Sequence, residues 1–392
     1  MPTLNEQAPW RPWGRWSGGA LVLGAALWAA LWAGHAGAQP AAVPTSPRVE
    51  VVAKGLEHPW AVAFADAGRL LVTERPGRLR VVERDGRLSP PVAGVPAVAA
   101  AGQGGLLDVV TDSDFARNRK VYLCYAEPAA DGNGNSTALA VGQLSADARR
   151  LEQVQVLFRQ VPKVSSRQHF GCRIVESPDG HLFLTLGDRG HRMADAQTLD
   201  NHHGKVVRLR KDGTVPSDNP LLGRAGALPE IWSWGHRNPQ GATWGPDGRL
   251  WTHEHGPQGG DEINLPQAGR NHGWPVITYG EQYGGGRIGA GLTAQAGMEQ
   301  PLHQWTPSIA PSGMVFLRSD RYGPAWQGSL FVGSLKFRYL ARLELRAGKV
   351  VREERLLTEV GERIRDVREG PDGLLYVLTD DDDGRVLRLQ PR

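Results

Sequence analysis

Cysteine is nearly missing from this chain: only Cys124 and Cys172 occur in 392 residues. Two are too few for a disulfide scaffold. They either bond to each other or stay as buried thiols, and neither sits in a pattern that suggests a catalytic nucleophile. Charge excess is also small. A net charge of +4 on a chain this long is weak support for nucleic-acid binding, even with a pI of 9.2. Past residue 38 no stretch is long and apolar enough to cross a bilayer. No sustained Ala/Glu/Lys/Leu heptad run exists, which excludes a coiled coil. Glycine shows no every-third-residue period, which excludes a collagen-like chain. No glycine-rich loop follows a strand and opens a helix, which disfavours a nicotinamide cofactor. Aromatics are few at 7%, and five of the 13 tryptophans lie in the first 38 residues.

Glycine and proline, by contrast, are abundant. Glycine makes up 50 residues, about 13% against a usual ~7%, and proline 28. Apolar residues at 40% and charged residues at 22% are enough for a packed core. The chain therefore reads as folded and rich in turns. Its N-terminus reads as an address. Arg11 and Arg15 precede an uncharged apolar run from Gly18 to Gly34, and Ala36-Gly37-Ala38 then supplies a small-residue cleavage pattern before Gln39. Residues 1–38 are expected to be a secretory signal peptide, with an uncleaved anchor as the alternative. Residues 39–392 are expected to form one domain, periplasmic or secreted, with no stable membrane insertion.

One pattern recurs: an apolar stretch, a glycine turn, then a short strand. It is clear in Ala61 to Thr73 (AVAFADAGRLLVT), Ile174 to Leu186 (IVESPDGHLFLTL), Ala242 to His253 (ATWGPDGRLWTH) and Val367 to Thr379 (VREGPDGLLYVLT). Weaker copies carry VYLCY and GSLFVGS. Proline presets φ and glycine takes a positive φ, so Pro-Asp-Gly suits a tight reversal. Each copy reads as a β-hairpin. Leu70, Val121, Leu182, Leu250, Leu330 and Leu375 mark six copies, spaced about 61 residues apart. The fold class predicted is all-β: a six-bladed β-propeller of four-stranded antiparallel blades. Arg48 to Val52 is a spare strand able to close the ring by completing the last blade. The glycine-rich stretch from Asn271 to Gln304 is expected to be a loop inserted between the fourth and fifth repeats.

Chemistry-bearing residues recur just upstream of the turn glycines. His58, His169, Arg237 and Arg363 stand 10 or 11 residues before Gly68, Gly180, Gly248 and Gly373. If the repeats are blades, these side chains meet at one mouth of the central channel. His58 on its own is better explained by satisfying nearby backbone groups. Arginines, a lysine, amides and a histidine at one mouth suit a planar polyanion, because guanidinium groups grip carboxylates in pairs. A neutral histidine there is a natural proton acceptor, and nearby cations are expected to lower its pKa. His253 with His255 is a weaker candidate for a transition metal. Asp380 to Asp383 reads as a solvated turn more than as a cation loop.

GHRNPQG at 235–241, GPQGGDEINL at 256–265 with NHGWP at 271–275, and APSG at 310–313 followed by SLK at 334–336 together carry a resemblance. The chain resembles the soluble quinoprotein sugar dehydrogenases, which use pyrroloquinoline quinone (PQQ) and calcium on a six-bladed propeller. The likeness runs from about Leu56 to Leu389. It implies that His169 is the general base toward the anomeric hydroxyl of an aldose sugar. It implies that Arg237 stabilises negative charge on the quinone oxygen. It implies that Gln103, Arg237, Asn238, Ser308, Lys336, Arg363 and Arg365 bind PQQ. Backbone oxygens of Gly256 and Pro257 would bind a calcium at the cofactor, and Glu262 a second, structural calcium. Electrons would pass to an external acceptor. His272 stands where the family usually has tyrosine, which puts the second calcium site in question, and Ser308 stands where glucose dehydrogenases have threonine. Their long insertions are missing, which places the chain nearer the shorter aldose sugar dehydrogenases.

Two other functions compete. A calcium-dependent lactonase on a similar propeller needs free carboxylates around a metal at the channel centre, where this sequence puts arginine and histidine. A non-catalytic binding propeller has no need for His169, Arg237, Lys336 and Arg365 together.

Overall fold

A computed structural model of the chain describes residues 46–66 and 68–392. The expected leader lies outside the described residues. No described helix is long and apolar enough to cross a membrane.

Strand β1 (Arg48–Leu56) is followed by six sheets in chain order. The first holds β2 (Pro59–Asp66), β3 (Arg69–Glu74) and β4 (Arg78–Val82). The second holds β5 (Leu106–Thr111), β6 (Lys120–Pro128), β7 (Asn135–Leu144) and β8 (Leu151–Arg159). The third holds β9 (Gly171–Glu176), β10 (His181–Leu186), β11 (Lys205–Arg210) and β12 (Ile231–Trp234). It gains a two-residue parallel strand, β16 (Arg270–Asn271), from the next repeat. The fourth holds β13 (Pro239–Trp244), β14 (Leu250–Glu254), β15 (Asp261–Asn264) and β17 (His303–Trp305). The fifth holds β18 (Pro311–Phe316), β19 (Leu330–Ser334), β20 (Leu340–Arg346) and β21 (Lys349–Leu356). The sixth holds β22 (Ile364–Glu369), β23 (Leu375–Thr379) and β24 (Gly384–Gln390). Strand β1 completes this last sheet by pairing antiparallel with β24.

The six first strands pack neighbour to neighbour in a closed ring, β2–β5–β9–β13–β18–β22. This is the six-bladed propeller, closed by the spare N-terminal strand. The first blade has three strands and the third has five, so strict four-strandedness holds for the other four. All six marker residues fall on the second strand of a blade. Those strands are almost continuously apolar, as in HLFLTL and LYVLT, because blades pack face to face and bury both sides. The reversals depend on glycine for conformation: Gly180, Gly248 and Gly373 have φ of 81°, 74° and 74°.

The Asn271–Gln304 stretch does not separate the fourth and fifth repeats. It lies inside the fourth blade, between β15 and its outer strand β17. With only three residues, that outer strand is too short for its alternation to be read. Cys124 on β6 and Cys172 on β9 are bonded to each other, tying the second blade to the third.

Candidate active site

Along the ring axis the inner strands meet in a buried charge network. Arg173 Nη1 lies 3.0 Å from Asp108 and 3.2 Å from Asp366, while Arg368 lies 2.8 Å and 3.2 Å from the same two carboxylates. The Arg173 guanidinium also stands 4.3 Å from the centre of a Trp60 ring. Gly313 is needed for space here, since a Cβ would fall on Asp366 Oδ1. Carboxylates are therefore present at the centre, but each is held by arginine.

Above this network a cavity of about 400 Å³ opens between the blades. Gln103, Asn238, Arg363 and Arg365 line it, as expected from sequence, and so does His58. Arg75 and Trp60, which the sequence does not mark, also line it, as do His255, expected only as a weak metal candidate, and Asp380, expected as a solvated turn. Asp380 is no mere solvated turn residue: it pairs with Arg365 at 2.5 Å and with His58 Nδ1 at 2.9 Å. Burial works against its charge, yet Arg365, with His58 and Arg363, holds its carboxyl well below the usual range. Arg75 donates to the Gly102 carbonyl. The lining thus carries three guanidinium groups, of Arg75, Arg363 and Arg365, and one carboxylate, which leaves the cavity with a positive surplus. That surplus, with the Gln103 and Asn238 amides, suits a flat ligand bearing several carboxylates.

His169 sits two residues before β9, at a positive φ of 51°. Its backbone N–H donates to Gln103 Oε1 at 2.8 Å, which ties it to the cavity wall. Its Nδ1 lies 2.6 Å from Asp188 Oδ1, and Nε2 has no protein partner among the described residues. Its pKa is lowered, as expected, but burial is the main cause. Asp188 opposes the shift, and Arg237 and Arg189 add only smaller contributions. Asp188 follows β10 at the end of LGD, an acidic residue leaving a second strand at the mouth, and that placement is the signal by which sequence reasoning could find it.

Arg237 stands two residues before β13. Its Nη1 donates to the backbone oxygens of Gly256 (2.8 Å) and His255 (3.0 Å). The structure therefore joins Arg237 to one of the two carbonyls expected to hold calcium. Asp261 organises both neighbouring loops. It accepts from Gly256 N at 2.9 Å and, through its other oxygen, from Ser308 Oγ, Ile309 N and Ala310 N at 2.7, 2.8 and 3.0 Å. Ser308 and Lys336 are not wall residues. The Ser308 hydroxyl is spent on Asp261, and the Lys336 ammonium stands 5.2 Å from the centre of the Phe337 ring, although their neighbours Ala310 and Leu335 line the cavity.

Glu262 lies apart from this cavity. Asn264 Nδ2 bridges it to Glu254 at 3.1 and 3.0 Å, and Asn264 Oδ1 has no partner. Burial, with the Glu254 charge beside it, pushes the Glu262 carboxyl up to about 8. Two carboxylates and a free amide oxygen are the hard donors that calcium takes. Among the described residues no three His, Cys, Asp or Glu side chains converge on one metal position. His272 stacks on His236 at 4.6 Å and leaves both ring nitrogens unpartnered. His255 Nε2 hydrogen-bonds the Pro311 carbonyl at 2.6 Å, while both ring nitrogens of the buried His253 are without a partner among the described residues.

Comparison with known proteins matches residues 56–388 to the family model described as Glucose / Sorbosone dehydrogenase. The chain is 46% identical over 375 residues to the aldose sugar dehydrogenase YliI of Escherichia coli K12, covering 95% of this chain and 97% of the relative. The crystal structure of soluble aldose sugar dehydrogenase from E. coli in the apo-form superposes with a TM-score of 0.84 at 46% identity, covering 88% and 99% of the two chains. A PQQ-bound form of an aldose sugar dehydrogenase from Streptomyces coelicolor superposes with a TM-score of 0.72 at 28% identity, covering 89% and 99%.

Proposed function

Because the chain belongs to the glucose/sorbosone dehydrogenase family, we propose that it oxidises aldose sugars at the anomeric carbon to the lactone, with PQQ and calcium, and passes the electrons to an external acceptor. The observation that carries this reading is the pairing of His169 with Asp188 beside a cavity of surplus positive charge. Held in the cavity, PQQ would supply a hydride-accepting quinone, and calcium would supply Lewis-acid polarisation.

The residues of the chain do the rest. His169 Nε2 accepts the proton of the anomeric hydroxyl, while Asp188 holds Nδ1–H and stabilises the imidazolium that forms. Arg237 provides positive charge where negative charge develops on the accepting oxygen. Arg363, Arg365 and Arg75 hold the cofactor carboxylates, and the Gln103 and Asn238 amides set its plane. Ser308 and Lys336 contribute through side-chain rotation or through the loops they anchor. Gly256 and Pro257 offer carbonyl oxygens to the calcium at the cofactor, and Glu262 serves the second calcium. Residues 1–38 direct export.

The test is to add PQQ and Ca²⁺ to purified apo-protein and follow reduction of an artificial dye with glucose and other aldoses. Activity with at least one aldose, dependent on PQQ, is expected. No turnover with any of them, together with no change in PQQ absorbance on titration, would sink the reading. The lactonase alternative is disfavoured by the arginine pairing of Asp108 and Asp366.

A further inference from the structure

The Asp188 carboxylate has two oxygens, and they are treated differently. Asp188 Oδ1 accepts from His169 Nδ1 at 2.6 Å and from Gly190 N at 2.8 Å. Oδ2 has a single partner among the described residues, the indole Nε1–H of Trp274 at 2.8 Å. Asp188 is fully buried, so an unpaired oxygen there would carry a full desolvation cost. Trp274 arrives on the inserted loop of the fourth blade, while Asp188 and His169 belong to the third. The ring is pinned from three sides. Its backbone N–H donates to Gly235 O at 2.9 Å, and its carbonyl accepts from Gln197 Nε2 at 2.7 Å. Its side chain packs with Ala196 and Ile288. Its ring also lies 5.3 Å from the Arg237 guanidinium.

We propose that Trp274 is a positioning residue for the reaction: its indole N–H holds the second oxygen of Asp188, and so sets both the orientation and the basicity of His169, while its ring steadies Arg237. The proposal rests on reading His169 as the base. The charged and titratable groups facing the pair are Arg237 and His255 from the fourth blade and Arg189 and Lys205 from the third. None of these donates to Oδ2, so the Trp274 indole is the hydrogen bond at that oxygen that draws carboxylate charge away from the imidazole. Removing the N–H frees that charge, which favours the imidazolium. The base must be neutral to accept a proton. Loss of the N–H therefore narrows activity on the acid side.

The test is a ¹⁵N NMR titration of the His169 ring in cofactor-free protein, wild type against Trp274→Phe. The midpoint is expected to rise by about one pH unit, the scale of one lost hydrogen bond to a buried charge. In an Asp188→Asn background the same substitution should leave the midpoint unmoved, since Trp274 acts through the carboxylate. If Trp274→Phe does not fold, β-(3-benzothienyl)alanine at 274 keeps the ring shape and removes only the N–H. In PQQ-loaded enzyme the acid limb of kcat/KM should move up with the NMR midpoint. An unmoved midpoint, or an equal shift in both backgrounds, overturns the proposal. Wild-type protein inactive with PQQ would overturn the proposed dehydrogenase function and leave the NMR result standing.

Discussion

Nδ1 of His169 lies 2.6 Å from Oδ1 of Asp188, so only Nε2 of the imidazole is free to meet a substrate. Burial lowers the pKa of this histidine from its ordinary 6.5, and the burial effect exceeds the opposing pull of Asp188. The proposed base must be neutral, and a lowered pKa keeps it so into mildly acidic solution. The acid limb of kcat/KM is expected below pH 6.5, measured with PQQ-loaded enzyme and an aldose. A limb above 6.5 would mean that Asp188 outweighs burial. His169→Ala should cut turnover by about 10²- to 10⁴-fold, the usual range for a lost general base, with PQQ binding retained.

Arg237 would compete with the proposed calcium for one carbonyl. Its guanidinium donates to Gly256 O, one of the two oxygens proposed for calcium. A positive side chain at that oxygen opposes a second positive charge. Arg237→Ala is therefore expected to bind Ca²⁺ more tightly in cofactor-free protein, by about 10-fold or more, as for loss of one competing charge-assisted hydrogen bond. Isothermal titration calorimetry measures it. Unchanged or weaker calcium affinity would place the ion away from Gly256.

Part of this site is legible in the amino-acid sequence alone, for physical reasons. Each hairpin carries its own signal, a short apolar strand pair around a positive-φ glycine, so Leu70 through Leu375 mark six blades correctly. Gln103, Asn238, Arg363 and Arg365 sit in local strings that fold as units, and they meet in one cavity. Trp274 and Asp188 are 86 residues apart, and no local pattern announces that an indole will find a carboxylate in another blade. Sequence places the same loop one boundary too late because β17 is so short. The direction of the histidine shift follows from sequence. Its main cause does not, since burial is a property of the packed blades and not of neighbouring charges in the chain.

The Cys124–Cys172 bond closes a loop of 48 residues between two adjacent blades. By chain-entropy reasoning a closure of this size stabilises the fold by up to ~4 kcal/mol. Both cysteines are buried, so reduction should require partial opening of the blade interface. Cys124→Ala/Cys172→Ala is expected to lower the urea midpoint clearly, while the fold and the PQQ titration remain. A double variant as stable as the wild type would show that packing between β6 and β9 suffices without the bond.

The axial network predicts a larger loss, and one with a signature. Arg173 is 1% exposed and pairs with Asp108 and Asp366, which are just as deeply buried. Replacing it by methionine keeps much of the volume but leaves two carboxylates with Arg368 alone. Breaking a buried pair in this way costs about 3–5 kcal/mol, because the uncompensated charge remains inside. If that is the cause, removing one of the stranded charges must restore part of the loss. Arg173→Met/Asp108→Asn should therefore be more stable than Arg173→Met alone, as read from urea unfolding of the disulfide-intact protein. Additive losses in the double variant would mean instead that Arg173 acts by packing against Trp60, whose ring it covers at 4.3 Å. The distinction matters for function as well as stability. These inner strands carry the cavity walls, and a network held by charge fixes their spacing more tightly than apolar contact would.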